Sequence, residues 1–147
     1  MKRNEKPIRE VELQKICGEY FRQKGFLTQE EVPFLLKVAD LLCFHEGSGE
    51  CIAVEVKVRD WRKALKQALV YQMMADRVYI ALSNKYLKTV DCNLLVENAV
   101  GLISIDLNGT VSLISEAALS PRRLPYFTSR AIATAFPGRG SLACLMT

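Results

Sequence analysis

The spacing of hydrophobic residues predicts a helix at the start of this 147-residue chain. Over residues 8–24, apolar side chains recur at helical spacing with charged residues between them, and Gly25 follows as a stop signal. The apolar positions of this helix are Ile8, Val11, Ile16, Tyr20 and Phe21.

Three strands follow the first helix. The first covers residues 26–32 and is closed by Pro33, and the second covers the apolar segment 35–45. Glu46-Gly47-Ser48-Gly49 predicts a tight turn into a third, β-branched strand over residues 51–58.

The second half of the chain alternates helices and strands. Asp60 is placed to cap a helix over residues 61–75, whose Ala64, Ala68, Tyr71 and Ala75 form one stripe. Then follow a strand over 77–82, a helix over 85–98, a strand over 101–106, a turn at Asn108-Gly109 and a strand over 111–115. The order α-β-β-β-α-β-α-β-β predicts an α/β fold, with a mixed central sheet flanked by helices on both faces.

Charged residues are unevenly distributed along the chain, although the net charge is only +4. Residues 61–147 carry ten basic and five acidic side chains, and no acid follows Glu116. We therefore assign residues 1–116 to one domain and residues 117–147 to a basic C-terminal extension. The sequence predicts a short helix around residues 129–135 of this extension but does not decide how the extension packs. A polyanionic partner and an ordinary solvated surface both fit this charge pattern.

The chain shows no signal for a membrane or for secretion. It has no apolar run of 18 residues, and its charged N-terminus leads into no apolar segment. The five cysteines are odd in number and form no C-x-x-C pair, which favours reduced thiols and a cytoplasmic location. A zinc site at Cys43, His45 and Cys51 is a weak alternative, since strand alternation separates these side chains.

The turn at residues 46–49 sets the register of the strands on either side of it. A hairpin centred between Gly47 and Ser48 opposes residues whose numbers sum to 95, so Asp40 faces Glu55. Lys57 lies two residues further along and projects to the same face.

Two carboxylates this close repel each other by roughly 3 kcal/mol at an effective dielectric constant near 20. A divalent cation would relieve that repulsion, and carboxylate oxygens favour Mg²⁺ or Mn²⁺. A salt-bridge ladder on an exposed strand face is the alternative interpretation.

These residues resemble the motifs of the PD-(D/E)xK, or restriction-endonuclease-like, nuclease superfamily. The resemblance rests on Asp40, on Glu55-Val56-Lys57 and on the helix that carries Gln67 and Tyr71, and it covers about residues 8–115. Ala39 departs from the proline of the motif. The resemblance implies a metal held by Asp40, Glu55 and the Val56 carbonyl, with Lys57 as the catalytic lysine.

The same resemblance implies two further contributions to the site. Many members add a glutamate from the first helix, and Glu12 matches that position better than Glu19, which lies seven residues later near the same helix face. A Q-x-x-x-Y helix motif matches Gln67, which would approach the site, and Tyr71, which would pack or contact substrate.

Four basic residues just after the motif, Arg59, Arg62, Lys63 and Lys66, are candidates for contacts to nucleic-acid phosphates. A solvated helix face is the alternative. The expected function is metal-dependent cleavage of DNA, with a homodimer or a partner subunit as a further expectation. The alternative is a catalytically silent nucleic-acid-binding or regulatory module on the same fold.

Overall fold

The computed structural model describes residues 8–139, which form one six-stranded sheet and the helices packed on it. The elements are α1 (Glu10–Gln23), β1 (Leu27–Phe34), β2 (Lys37–Phe44), β3 (Cys51–Lys57), α2 (Trp61–Tyr71), β4 (Arg77–Ser83), a 3-10 helix (Asn84–Thr89), α3 (Cys92–Glu97), β5 (Val100–Ile105), β6 (Val111–Ser115) and α4 (Pro125–Ala135). Asp60 caps α2 as predicted, because its carboxylate accepts a hydrogen bond from the Lys63 amide at 3.1 Å.

The six strands lie in the sheet in chain order, from β1 to β6. β1, β2 and β3 pair antiparallel, β3, β4 and β5 pair parallel, and β6 returns antiparallel to β5. The parallel pairs need crossover connections, which α2 supplies between β3 and β4 and α3 supplies between β4 and β5. The predicted α/β class with a mixed sheet is confirmed.

The inner strands β2 to β5 bury both of their faces over most of their length, so the protein has two apolar cores. In β2, Leu41 and Cys43 point to a core that α1 completes with Leu13, Cys17 and Phe21. The alternate β2 residues Leu42 and Phe44 point to the opposite core, which contains buried residues of α2, α3 and α4. Residues on the second face of β2 and β3 therefore meet α2.

The prediction that Pro33 closes the first strand is wrong. β1 continues to Phe34, and Pro33 lies opposite Val38 in the ladder. Proline is tolerated there because β1 is an edge strand, where a missing amide hydrogen bond need not disturb a neighbour. The turn accordingly falls at Leu35 and Leu36, and the second strand starts at residue 37 instead of 35.

The prediction of one continuous helix over residues 85–98 is also wrong. A 3-10 helix ends at Thr89, and Val90 has an extended backbone. Asp91 then starts α3, because its side chain accepts a hydrogen bond from the Leu94 amide at 3.2 Å. Aspartate favours such caps over helix interiors, and this preference explains the break.

The segment after β6 packs onto the sheet as far as the structure describes it. Arg123 forms an ion pair with Asp76 at 3.1 Å, and the Leu124 amide donates to the Met73 carbonyl at 2.8 Å. At the end of α4, the Phe136 ring stacks on Phe44. Within residues 8–139, no helix is both long and apolar enough to cross a bilayer.

The cysteines are mostly buried thiols, as predicted. Cys17, Cys43 and Cys51 are buried and unpaired by disulfides, whereas Cys92 is exposed at the start of α3. Cys144 lies outside the described residues.

Candidate active site

The hairpin between β2 and β3 has the register predicted from its turn. Four pairs, from Leu41 opposite Val54 to Phe44 opposite Cys51, have residue numbers that sum to 95. Asp40 and Glu55 are the next positions in that register, just where the ladder ends. By alternation they share a face with Leu42, which is the face that α2 covers.

Two hydrogen bonds hold Asp40 in place, one to its carboxylate and one to its backbone carbonyl. Its Oδ2 accepts a hydrogen bond from the Val56 amide at 2.7 Å, which ties the carboxyl to the neighbouring strand β3. Its own backbone carbonyl accepts a hydrogen bond from the side-chain amide of Gln14 at 2.6 Å. Gln14 is a buried polar residue of α1 that the sequence analysis missed.

Glu55 is an acid in the interior, with only 2% of its surface exposed. Burial, followed by the negative charge of Asp40, raises the pKa of Glu55 to about 8, although Lys57 partly opposes this. Burial also raises the pKa of Asp40. The two carboxyls lie within hydrogen-bonding reach of each other, so the pair retains a proton near neutral pH.

Lys57 and Gln67 complete the immediate surroundings of Glu55. The Lys57 ammonium nitrogen lies 4.0 Å from Glu55 Oε2, and its side chain is mostly buried. The Gln67 amide of α2, oriented with its nitrogen toward Glu55, donates to both oxygens of that carboxylate. The structure thus brings together Asp40, Glu55, Lys57 and Gln67, as the sequence motifs predict.

The first helix contributes a different glutamate from the one expected. Glu10 Oε1 lies 3.8 Å from Lys57 Nζ, and the charge of Glu10 acts on the pKa of Asp40. Glu12 instead pairs with Arg9 at 3.1 Å, and Glu19 pairs with Arg22 at 3.1 Å.

Glu12 was chosen from the family resemblance, and it does not lie on the buried face of α1. That face is Leu13, Gln14, Cys17, Gly18 and Phe21. Glu10 lies one turn before Gln14 and two turns before Cys17, so helical periodicity along the buried face would have identified it.

Tyr71 was expected either to pack or to contact substrate, and the structure shows it packed. The side chain is fully buried, and its hydroxyl donates to the Val38 carbonyl of β2 at 2.7 Å. Burial, together with the acidic charges of Glu55 and Asp40, raises the pKa of the Tyr71 phenol. Tyr71 therefore packs α2 against the strand that carries Asp40.

The four predicted basic residues, Arg59, Arg62, Lys63 and Lys66, are all exposed. Among the described residues 8–139, none of the ion pairs involves them. Arg62 stacks on the Trp61 ring at 4.5 Å. Lys63 precedes Gln67 by one helical turn, which brings it toward the acidic cluster.

The side chains present suit a hard divalent ion better than zinc. In the part of the chain that the structure describes, no three histidine, cysteine, aspartate or glutamate side chains form a metal cluster, so the Cys43–His45–Cys51 alternative is wrong. His45 Nδ1 accepts a hydrogen bond from the Ser48 amide at 3.1 Å instead. Asp40 and Glu55 together match Mg²⁺, which commonly uses one or two carboxylates and completes its shell with waters and substrate phosphates.

Comparison with known proteins shows the fold. No protein-family model matches the chain, and no curated protein sequence matches it. The chain is similar to a protein of unknown function from Silicibacter pomeroyi, with a TM-score of 0.66 and 18% identity over 98% of this chain and 90% of that one. The two proteins therefore share a fold over nearly their whole lengths.

Two weaker structural likenesses were found. One is a repair endonuclease from Pyrococcus abyssi, with a TM-score of 0.44 and 14% identity over 71% of this chain and 50% of that one. The other is SfsA from Pyrococcus furiosus in complex with Ca²⁺, with a TM-score of 0.43 and 16% identity over 76% of this chain and 66% of that one. With scores below 0.5, these two support no conclusion about this chain.

Proposed function

We propose that this protein is a divalent-metal-dependent nuclease of the PD-(D/E)xK type that cleaves DNA. The observation that carries the proposal is the cluster of Asp40, Glu55 and Lys57 at the end of the β2–β3 ladder. Ionising both carboxyls in this buried position is unfavourable, because burial raises the pKa of Glu55 and of Asp40, and a bound divalent cation would offset that cost.

Each member of the cluster has a distinct role in this proposal. Asp40, Glu55 and the Val56 carbonyl would hold Mg²⁺ or Mn²⁺, which when bound polarises a phosphodiester and lowers the pKa of water. Lys57 orients the attacking water or a phosphate oxygen, and Gln67 fixes the Glu55 carboxylate through its amide. Glu10, beside Lys57, contributes the acid of the first helix.

Substrate binding would use the exposed cations next to the cluster. Arg59 follows β3 directly, and Arg62, Lys63 and Lys66 lie on α2, which also carries Gln67. Contacts from such residues to phosphates position DNA without reading its sequence, and they weaken as salt rises.

The test is cleavage of supercoiled plasmid, linear duplex and single-stranded DNA with Mg²⁺, with Mn²⁺ and with EDTA. Wild-type protein should cut at least one of these substrates with metal only. Asp40→Asn and Lys57→Met should each lower the rate by about 100-fold or more, since they remove a metal ligand and the ammonium group.

The matched controls are Glu97→Gln and Lys88→Met, which change exposed side chains that form no ion pair with Asp40, Glu55 or Lys57. Both should cut at the wild-type rate. Activity that persists in EDTA, or that Asp40→Asn and Lys57→Met leave unchanged, would contradict the proposal.

A second candidate is a nucleic-acid-binding or regulatory module without turnover. It is favoured by one observation: Glu10 contacts Lys57, so within residues 8–139 only two acids, Asp40 and Glu55, converge as ligands. This candidate predicts salt-sensitive DNA affinity that survives Glu55→Ala, with no metal-dependent cutting by the wild type. The absence of DNA affinity at low salt would exclude it.

A further inference from the structure

The tip of the β1–β2 hairpin exposes two leucines. Phe34 pairs with Lys37, so Leu35 and Leu36 form a two-residue turn. Leu36 is 100% exposed and Leu35 is 59% exposed. Tight hairpin turns normally carry glycine, asparagine or aspartate, and the Leu36 side chain at this tip buries nothing within its own chain.

The backbone of this turn is also unfavourable for its sequence. Leu35 has a φ of +54°, in the left-handed region where a side chain crowds the backbone and glycine is preferred. A residue that is both strained and exposed gains nothing for the isolated fold. Such violations of local preference concentrate where a protein makes contact with a ligand or partner.

A groove with both apolar and polar lining lies beside the tip on the same surface. It forms between the end of β1 and α4 and has a volume of about 240 Å³, and its lining includes Phe34, Leu35, Tyr126, Phe127 and Arg130. Tyr126 on its rim is 64% exposed. The groove is larger than the roughly 150 Å³ cavity that accepts a benzene ring inside a protein, so a leucine side chain fits it.

We propose that this surface is the interface of a homodimer, in which the hairpin tip of each copy enters the groove of the other. In a two-fold symmetric dimer, both copies use the same surface. That surface must therefore carry both the protruding hairpin tip and the groove that receives it. The proposal goes beyond the nuclease function and does not depend on it.

The charges around the patch agree with a second copy as the occupant. Arg130 lies in the groove, while Glu30 and Glu31 are exposed on edge strand β1 of the same hairpin. A surface with positive and negative side chains in separate places can form ion pairs with a second copy of itself. A nucleic acid, by contrast, would be repelled by the two glutamates.

The test is the mass of the full chain in solution, measured by sedimentation velocity and light scattering at about 1 to 100 µM, since dimerisation depends on concentration. Wild-type protein should be a dimer at the upper end. Leu36→Lys should raise the dimer dissociation constant at least tenfold, because it would bring a second cation into the groove beside Arg130. Its fold should be intact, since Leu36 has no contacts to lose within the monomer.

Two further variants keep the test independent of misfolding. Leu35→Gly suits the positive φ and should keep the far-ultraviolet circular dichroism spectrum of the wild type, yet it should also weaken the dimer. Leu119→Asp, at an exposed leucine outside the patch, should remain dimeric. A monomeric wild type, or dimers unaffected by Leu36→Lys, would overturn the proposal, and so would a Leu36→Lys variant that loses DNA affinity while remaining dimeric.

Discussion

The buried Glu55 carboxyl makes stability depend on pH in a direction that can be measured. Its pKa is about 8 in the folded protein, against the usual 4.5 that it regains on unfolding. Between these values the folded state holds a proton that the unfolded chain releases. The free energy of unfolding therefore falls as pH rises from 4.5 to 8. The stabilisation that the protonated Glu55 provides is fully present below pH 4.5 and is lost above pH 8.

The size of the effect follows from the pKa difference. At about 1.4 kcal/mol per pH unit, ionising Glu55 in the fold costs on the order of 5 kcal/mol more than ionising it in the unfolded chain. We expect the free energy of unfolding in EDTA, from urea titrations, to decline by up to that amount between pH 5 and 8.5 through this residue. The raised pKa of Asp40 acts in the same direction.

Glu55→Gln isolates the contribution of Glu55 to the pH dependence of stability, because glutamine has nearly the shape of glutamate and cannot ionise. The variant should show a flatter stability profile than the wild type, and it should be the more stable of the two at pH 8.5. Glu97→Gln, an exposed change, should reproduce the wild-type profile. Equal slopes for Glu55→Gln and wild type would refute the assignment of a buried, protonated acid at this position.

Two structural predictions concern positions around the site and the sheet. Tyr71→Phe should cost about 1 to 2 kcal/mol in denaturant unfolding, because it leaves the Val38 carbonyl without its hydrogen-bond donor. Gly101→Ala should destabilise by about 2 kcal/mol or more in the same measurement, since a Cβ there would lie 2.4 Å from the Tyr79 ring. Gly18→Ala, where the nearest atom belongs to a flexible arginine end, should change stability little, and a larger loss there than at Gly101 would contradict this interpretation.

The cluster of Asp40, Glu55 and Lys57 was predictable because it depends on local rules. The turn at residues 46–49 fixes which residues of two adjacent strands oppose each other, and alternation then fixes which face they share. Apolar neighbours identify both strands as interior. From these rules alone the sequence indicates that Asp40, Glu55 and Lys57 meet.

The errors arose where packing decides between equivalent local patterns. In α1, polar Gln14 and small Gly18 lie on the buried face while Val11 is 41% exposed, so hydrophobicity gave the wrong face of the helix. Glu12 was chosen from the family resemblance, which did not identify Glu10 as the acid beside Lys57. Nothing local shows that β1 is an edge strand, and only that position lets it run through Pro33.

The central claim is that Asp40 and Glu55 form a site for a divalent cation, and calorimetric titration of Mn²⁺ into the metal-free protein tests it most directly. We predict one saturable site at pH 7.5 in the wild type, with proton release as Glu55 ionises, and loss of that site in Asp40→Asn. A wild type that binds no Mn²⁺ at millimolar concentration, or an Asp40→Asn variant that binds it equally well, would contradict the account.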